Sequence, residues 1–205
     1  MTWRDRLFDL VVLGVLGVPI LLSVSVVATL LLVLQGRPIF FASQRMYAPG
    51  RSFTLWKFRT MLPSMKNNGV TGGDKSDRIT LVGRILRATR LDELPQAWNV
   101  LRGDIRIVGP RPPLPEYVER FPEIYRMVLQ SRPGITGLAT LWYNDTEARL
   151  LSACSTPEQT DVVYVRRCIP RKAALDLIYQ RNKSLWFDLM LIWLTAMGVL
   201  GRNTR

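Results

Sequence analysis

Two adjacent carboxylates, Asp92 and Glu93, lie in the sequence between groups of arginines. Asp and Glu side chains are established covalent nucleophiles toward phosphoryl groups, so one member of the pair could attack phosphorus. Guanidinium groups nearby would bind phosphates and keep the carboxylates ionised. The arginines before the pair are Arg84, Arg87 and Arg90. We therefore take Asp92 and Glu93 as candidate catalytic residues, and Arg87 and Arg90 as candidate phosphate ligands.

The same two residues also fit an ordinary helix start. Asp is a preferred N-cap residue, and acidic side chains in a first turn complement the helix dipole. Pro95, two residues after Glu93, also suits a first turn. On these residues alone structural capping is the commoner explanation, and both interpretations stay open.

Further phosphate ligands are predicted at two other places. Val108–Pro113 reads VGPRPP, a rigid turn in which Gly109 permits unusual backbone angles and the prolines fix the flanks. Such a turn would project Arg111 toward a phosphate, although a plain turn with a solvated arginine explains it equally well. Lys57 and Arg59 could also reach phosphates, but a basic strand face near acidic lipid is an equal alternative.

A second turn, Arg132–Gly137, reads RPGITG. Its backbone N–H groups could help to form an anion-binding nest. A structural turn is the more common explanation of such a segment.

Composition narrows the chemistry. The 205 residues include 28 Lys and Arg against 16 Asp and Glu, a formal charge of +12, which favours an anionic partner such as nucleic acid, acidic lipid or a phosphate-bearing substrate. The absence of histidine excludes a His base, a His metal ligand and a His phosphoenzyme. A bound metal would therefore have mainly oxygen ligands, which favours Mg²⁺. Cys154 and Cys168 lack motif spacing, and we expect reduced thiols.

The N-terminal region contains a membrane element. Leu10–Leu34 is uncharged, and a straight helix of that length would measure about 37 Å against roughly 30 Å for the hydrocarbon core. Pro19 predicts a kink near residues 15–19. Arginines flank the segment on both sides, so charge gives no clear topology. An ordinary kinked anchor is favoured by these features alone, whereas a re-entrant helix–kink–helix would explain the flanks.

The opposite end of the chain is also apolar. Ser184–Gly201 contains Trp186 and Trp193 but is interrupted by Asp188. An interfacial helix lying in the membrane plane fits this segment better than a second span. A buried core helix is the alternative.

The region between these ends is predicted to be mostly helical with a few short strands. Residues 39–41 and 53–58 form a plausible hairpin around a turn at 48–51, and Asn67–Asp77 reads as a polar, Gly-rich, mobile loop. In Ile79–Arg90 the apolar residues share one helical face: Leu81, Val82, Ile85 and Leu86. Further helices are expected at about 92–102, 115–129, 157–167 and 171–181.

Taken in order, these segments resemble the bacterial sugar transferases, specifically the small monotopic phosphoglycosyl transferases. The matching segments are RLFD from Arg6, QGRPIFFASQR from Gln35, FTLWKFRTM from Phe53, LDELPQAWNVLRGD from Leu91, IVGPRP from Ile107, RPGITGLA from Arg132 and SLWFDLMLIWLTA from Ser184. They cover nearly the whole chain, and their order and spacing are specific.

The resemblance implies a fold and a location. The fold would be mainly α with a few short β-strands, with a re-entrant membrane hairpin at 1–36. Residues 37–205 would form a small cytoplasmic catalytic core with amphipathic interfacial helices, including the C-terminal one. The protein would lie in the bacterial inner membrane as a monotopic protein facing the cytoplasm. The family kink uses a Ser-Pro pair, whereas Pro19 follows Val18 and lies about one turn earlier.

The resemblance also implies a reaction. The residue at Asp92 would attack the sugar-bearing phosphate of a UDP-sugar and release UMP, and undecaprenyl phosphate would then take the phosphosugar. Glu93 would complete the pair, both carboxylates would help to hold Mg²⁺, and Arg111 would bind phosphate. Inner-membrane lipid would be a partner, and nucleic acid would not. The segment after RPGITGLA, TLWYNDTEARLL, departs from many relatives and would shape sugar recognition, so the identity of the sugar is not transferred from the family.

Two other functions compete with this enzyme. A basic, membrane-anchored binding protein would explain the charge and the apolar segment, and a non-catalytic scaffold for glycan assembly would explain the motifs. Neither requires an acidic pair between a basic helix and a rigid Pro-Arg turn. The sequence does not determine the oligomeric state, and a dimer is one of the states it allows.

Overall fold

The structure is a computed structural model that describes residues 1–63 and 69–202. Helices dominate it, as the sequence predicts, and the strands are short. The helices are α1 (Trp3–Gln35), α2 (Leu81–Ala88), α3 (Gln96–Arg102), α4 (Pro115–Arg120), α5 (Pro122–Val128), α6 (Leu138–Ser152), α7 (Pro157–Val163), α8 (Ile169–Asn182) and α9 (Leu185–Arg202). The strands are β1 (Phe40–Ala48), β2 (Arg51–Phe58), β3 (Arg106–Val108) and β4 (Gly134–Thr136).

The predicted hairpin is confirmed. β1 and β2 pair antiparallel, from Phe40 opposite Phe58 to Ala48 opposite Arg51. Phe53 and Leu55 of β2 are buried against Val100 and Ile105. The hairpin therefore forms one wall of the core, and the basic side chains of its second strand begin the candidate site.

The helix predicted over residues 115–129 is divided in two. Phe121 lies between α4 and α5 with φ −130° and ψ 58°, outside the helical region. The residue before a proline avoids the α conformation for steric reasons, so Pro122 explains the break. The helix expected at 157–167 ends as α7, which a π-helical turn at Tyr164–Cys168 joins to α8.

Part of the predicted Gly-rich loop is ordered. Residues 67 and 68 lie outside the described residues, but Gly73–Arg78 forms a 3₁₀ helix. A Cβ at Gly73 would come within 2.4 Å of the Cys154 carbonyl oxygen, so glycine permits this helix to dock against the end of α6. Thr160 donates a hydrogen bond of 2.8 Å to Asp74 and fixes the same segment.

The N-terminal helix α1 is continuous through Pro19 and is long and apolar enough to cross a membrane by length and composition. One stripe along it packs on the rest of the protein, at Leu13, Ile20, Val24, Val27 and Leu31. The first two join the cluster around Ile105, and the others join the cluster around Phe58. Its remaining faces are exposed and apolar. The proposed division of the chain at residue 36 stays a prediction.

A buried charged cluster joins both apolar ends of the chain to the sheet. Arg106, at the start of β3, is 1% exposed and forms ion pairs with Asp5 (3.4 Å), Asp9 (3.2 Å) and Asp188 (3.1 Å). Tyr179 donates a further hydrogen bond of 2.7 Å to Asp188. Asp188, which interrupts an apolar sequence, is therefore an internal ion-pair partner.

The C-terminal helix α9 has one buried side and one exposed side. Leu191 is fully buried, whereas Trp186 and Trp193 are exposed. An exposed Trp-rich face suits the membrane interface, and the interfacial position of α9 remains a prediction. Cys154 and Cys168 are both buried and are not joined by a disulfide.

Candidate active site

Asp92 and Glu93 lie in a short 3₁₀ turn, Leu91–Glu93, that precedes α3. Arg90 at the start of this turn has a left-handed backbone, with φ 57°. Helix α3 begins only at Gln96, and no side chain caps it. The capping interpretation of the two carboxylates is therefore wrong, because the chain turns sharply before the helix starts.

Glu93 is buried and is the centre of a cationic cluster. Its Oε1 accepts hydrogen bonds from Lys57 Nζ at 2.8 Å and from Arg111 at 2.9 Å. Its Oε2 lies 3.6 Å from the Arg90 guanidinium. Burial alone raises the pKa of Glu93, but Lys57, Arg111 and Arg90 outweigh it and hold that pKa well below its usual range. Glu93 is thus a fixed anion that positions three cations.

Asp92 is in the opposite situation. It is 8% exposed, and within the part of the chain that the structure describes its carboxylate forms no hydrogen bond or ion pair. Burial raises the pKa of Asp92, and Lys57 opposes this effect. The lone pairs of Asp92 are therefore available to an incoming group, whereas those of Glu93 Oε1 are engaged.

Both carboxylates line a cavity of ≈ 610 Å³. The predicted phosphate ligands also line it: Lys57, Arg59, Arg87, Arg90 and Arg111. Arg84 is not among the lining residues, although it follows the same helical spacing. The sequence thus predicts most of one wall, where a basic surface surrounds an acidic pair.

Two of these basic residues have additional partners. Arg87 Nε donates a hydrogen bond of 2.9 Å to Thr60, which holds the guanidinium at the cavity wall. Arg59 donates to the carbonyl oxygens of Gln35 (2.7 Å) and Gly36 (3.0 Å), at the end of α1. Arg59 therefore links the N-terminal helix α1 to the site, and a contact with phosphate would add to this role.

The turn that carries Arg111 is stiff because backbones pack closely beneath it. Gly109 is not in the left-handed region, so the expectation of unusual angles there is wrong. A Cβ at Gly109 would come within 2.3 Å of the Arg132 carbonyl oxygen, and one at Gly137 within 2.2 Å of the Gly109 carbonyl oxygen. Glycine is needed for close approach, and the result is a fixed base for Arg111.

The second turn, RPGITG, serves this packing. Gly134 N–H donates to the Pro110 carbonyl oxygen at 2.8 Å, and β4 pairs parallel with β3. This backbone donor is therefore used between the two turns, which favours the structural explanation of RPGITG over an anion nest.

The far wall of the cavity contains none of the individual site residues predicted from the sequence, although Asn144 and Glu147 lie in the segment TLWYNDTEARLL. It is formed by α6 and α8, which contribute Asn144, Glu147, Lys172 and Asp176. Lys172 pairs with Glu147 at 2.9 Å, whereas burial raises the pKa of Asp176 to about 7. Asp176 falls on the same face of α8 as the buried Ile169 and Tyr179, and an acidic residue on a core-facing stripe is a signal that could have identified it.

Mg²⁺ fits the acidic pair only as an ion shared with a substrate. Mg²⁺ is usually bound by one or two carboxylates together with substrate phosphates and water. Asp92 and the Oε2 atom of Glu93 are the acceptors with the least competition. Across residues 1–63 and 69–202, no three acidic or sulfur side chains gather into a metal site of their own. The donor phosphates would have to supply the remaining ligands.

Comparison with known proteins gives consistent matches over the whole chain. A family model described as bacterial sugar transferase matches residues 1–202. The chain is 37% identical over 206 residues to a UDP-glucose:undecaprenyl-phosphate glucose-1-phosphate transferase of Caulobacter vibrioides, which covers 96% of this chain and 70% of that protein.

Two further relatives differ in length. A Klebsiella pneumoniae protein with the same name is 34% identical over 197 residues, which are 93% of this chain but only 39% of that protein. A Bacillus subtilis protein described as an uncharacterized sugar transferase is 35% identical over 199 residues, 95% of this chain and 86% of that protein. The chain thus spans about two fifths of the Klebsiella relative and most of the Bacillus one.

Proposed function

The chain belongs to the bacterial sugar transferase family, as its motifs predict, and on this basis we propose that it transfers a phosphosugar from a UDP-sugar to undecaprenyl phosphate. The names of the relatives support the two substrates. The observation that carries the proposal is the contrast within the acidic pair. Asp92 lines the cavity and has no ion-pair partner among the residues that the structure describes, while Glu93 holds Lys57 and Arg111 beside it.

In the first step the Asp92 carboxylate attacks the phosphorus atom that bears the sugar. A new bond forms between Asp92 Oδ and phosphorus, and the bond between this phosphorus and the UMP oxygen breaks. UMP leaves with the electron pair of that bond, and the phosphosugar stays on Asp92. The cationic side chains of Lys57 and Arg111 donate hydrogen bonds to the phosphate oxygens and stabilise the negative charge on them.

In the second step a phosphate oxygen of undecaprenyl phosphate attacks the same phosphorus atom. The bond to Asp92 breaks, the carboxylate is regenerated, and an undecaprenyl diphosphate sugar leaves. Lys57, Arg111 and Arg87 offset part of the cost of burying the regenerated Asp92 carboxylate, which helps Asp92 to leave. Glu93 stays ionised throughout and keeps Lys57 and Arg111 in position.

The chemistry expected of Mg²⁺ in such a site is neutralisation of diphosphate charge. Asp92, Glu93 Oε2 and the donor phosphates would hold it. The two carboxylates therefore divide the work: one reacts, and the other organises cations. This division is a proposal that rests on their different partners.

A broad panel of UDP-sugars tests the activity. Purified protein in lipid or detergent, with Mg²⁺ and undecaprenyl phosphate, should release UMP from at least one donor and make a lipid-linked product. Removal of Mg²⁺ by a chelator should reduce the rate at least about 100-fold, because the diphosphate charge is then left partly unscreened.

A matched reaction without undecaprenyl phosphate separates the two half-reactions. UMP release should then stop after about one molecule of UMP per enzyme molecule. If well-folded protein releases no UMP from any donor, and binds polyanions with a steep salt dependence, the binding-protein alternative replaces the enzyme.

We also propose that α1 is re-entrant and that residues 37–205 face the cytoplasm. The first turns of α1 contact the domain, since the Arg6 guanidinium donates to the Val100 carbonyl oxygen. At its last turn Gln35 donates to Thr80 at 3.1 Å. A helix that crossed the bilayer would place its ends on opposite faces, so one domain could not contact both ends.

Labelling of single cysteines tests this topology. Thr2→Cys and Phe40→Cys, in a background without Cys154 and Cys168, should both react with a membrane-impermeant thiol reagent from the cytoplasmic side only. Glu158→Cys, an exposed position of the catalytic region, provides the reference for that side. Reaction of the Thr2 and Phe40 variants from opposite faces would show an ordinary transmembrane anchor.

A further inference from the structure

Asp176 on α8 is a buried carboxyl group that the reaction described above does not use. It is 7% exposed and lines the same cavity as Asp92. Its side chain forms no hydrogen bond or ion pair within the described residues. The nearest cation on its own helix, Lys172, is engaged by Glu147 at 2.9 Å and by the Tyr164 hydroxyl at 3.4 Å.

An unpartnered buried carboxyl group is costly to the folded protein. Most of its water shell is lost, and no side chain or backbone group of the described residues replaces those hydrogen bonds. Polar groups in protein interiors are almost always paired, so an exception in a cavity wall suggests a partner that arrives with a ligand. Asp176 is therefore placed to accept hydrogen bonds from a bound molecule.

The charge distribution of the cavity limits what that molecule can offer. Lys57, Arg87 and Arg111 lie on the wall that carries the acidic pair, and they suit a diphosphate. The α6–α8 wall carries Glu147 and Asp176 against a single Lys172. A second phosphate would be repelled by this wall. A neutral group with O–H or N–H donors would form hydrogen bonds with the carboxyl oxygens of this wall.

We propose that Asp176 recognises the neutral, hydroxyl-bearing part of the donor nucleotide, with the diphosphate held at the opposite wall. Two oxygens of one carboxyl group match two neighbouring hydroxyls of a pyranose or a ribose. Asn144 lies on the same wall and can both donate and accept. This inference rests on the proposed function and makes Asp176 a specificity-determining residue of the same reaction.

One side chain, Arg111, connects this wall to the acidic pair. Arg111 donates to Glu93 at 2.9 Å, and it also lies close enough to Glu147 for the two charges to interact. A donor that places its phosphates on Arg111 would therefore extend its remaining part toward Glu147 and Asp176. Either the sugar or the nucleoside could occupy this end, and both offer the same hydroxyl chemistry.

Kinetics of Asp176→Asn test the proposal. We expect kcat/KM for the preferred UDP-sugar to fall about tenfold or more, mainly through KM, because one acceptor is lost and an amide N–H₂ faces the ligand donors. Inhibition by UDP shows whether Asp176 contacts the sugar or the nucleoside, because UDP lacks the sugar. An unchanged UDP inhibition constant assigns Asp176 to the sugar, and a parallel weakening assigns it to the nucleoside.

A second variant separates binding from a structural role. Asp176→Leu has no acceptor, and we expect its melting temperature to hold or rise while UDP-sugars no longer raise it as they do in the wild type. Asp161→Asn, an exposed carboxylate outside the cavity, is the matched control and should keep wild-type donor kinetics. A folded Asp176→Asn protein with kcat/KM within about twofold of wild type would overturn the inference.

The same experiments keep this inference separate from the reaction itself. If the wild type releases no UMP from any donor, the proposed function fails. The thermal response of the wild type and Asp176→Leu to UDP-sugars still decides whether Asp176 binds them. If the wild type is active and both variants behave like it, only the role of Asp176 fails.

Discussion

Asp92→Asn should abolish phosphosugar transfer while leaving the protein folded. An amide cannot replace the carboxylate as a nucleophile, and loss of a reacting nucleophile typically lowers kcat on the order of 10⁴-fold or more. The fold should tolerate the change because Asp92 forms no hydrogen bond or ion pair within the described residues. Removal of an unpaired, buried charge should even raise the melting temperature slightly.

The measurement is UMP release together with trapping of the intermediate. Wild-type protein incubated with a labelled UDP-sugar, without acceptor, should retain label in a peptide that contains Asp92. Asp92→Asn should retain none, and Asp161→Asn should behave as wild type. Normal UMP release by the Asp92 variant, or label on another residue, would refute the assignment of the nucleophile.

Arg106→Met should destabilise the protein by about 3–5 kcal/mol, or prevent its accumulation in the membrane. The guanidinium is 1% exposed and forms ion pairs with three carboxylates. They are Asp5, Asp9 and Asp188. Methionine would leave Asp9 and Asp188 without this counter-ion, whereas Asp5 would keep Lys183 at 2.8 Å. Unfolding in detergent, followed by melting temperature and protease resistance, would measure the loss.

Arg120→Met is the matched control, because Arg120 forms a comparable ion pair with Asp161 at the surface. Exposed pairs contribute little, so this variant should melt close to wild type. Combining Arg106→Met with Asp9→Asn and Asp188→Asn should recover part of the stability. An Arg106→Met protein as stable as Arg120→Met would mean that the buried cluster does not stabilise the fold.

The near wall of the site was predictable because its residues are close in the sequence. Asp92, Glu93 and the arginines before them fall within ten residues, and the rigid turn that carries Arg111 has its own Gly and Pro signature. The local geometry was not predictable. A sharp 3₁₀ turn and a left-handed Arg90 replace the expected helix start. The ion pairs of Glu93 with the distant Lys57 and Arg111 outweigh the capping preference of Asp92.

The individual residues of the far wall were not predictable, because tertiary packing brings them together. Glu147 and Lys172 are 25 residues apart and meet only when α6 packs on α8. Asp176 reads in sequence as one acidic residue of an amphipathic helix, and only its position on the buried stripe distinguishes it. Asp188 is a similar case, since its partner Arg106 is 82 residues away.

The packed stripe of α1 has a consequence for how this protein can be divided or recombined. Leu13 and Ile20 complete the cluster around Ile105, and Leu31 completes the one around Phe58. A truncated, water-soluble catalytic fragment would therefore expose two open hydrophobic cores. A chimera with a foreign N-terminal helix would have to reproduce the same packed stripe, so α1 and the rest of the enzyme are expected to evolve as one unit.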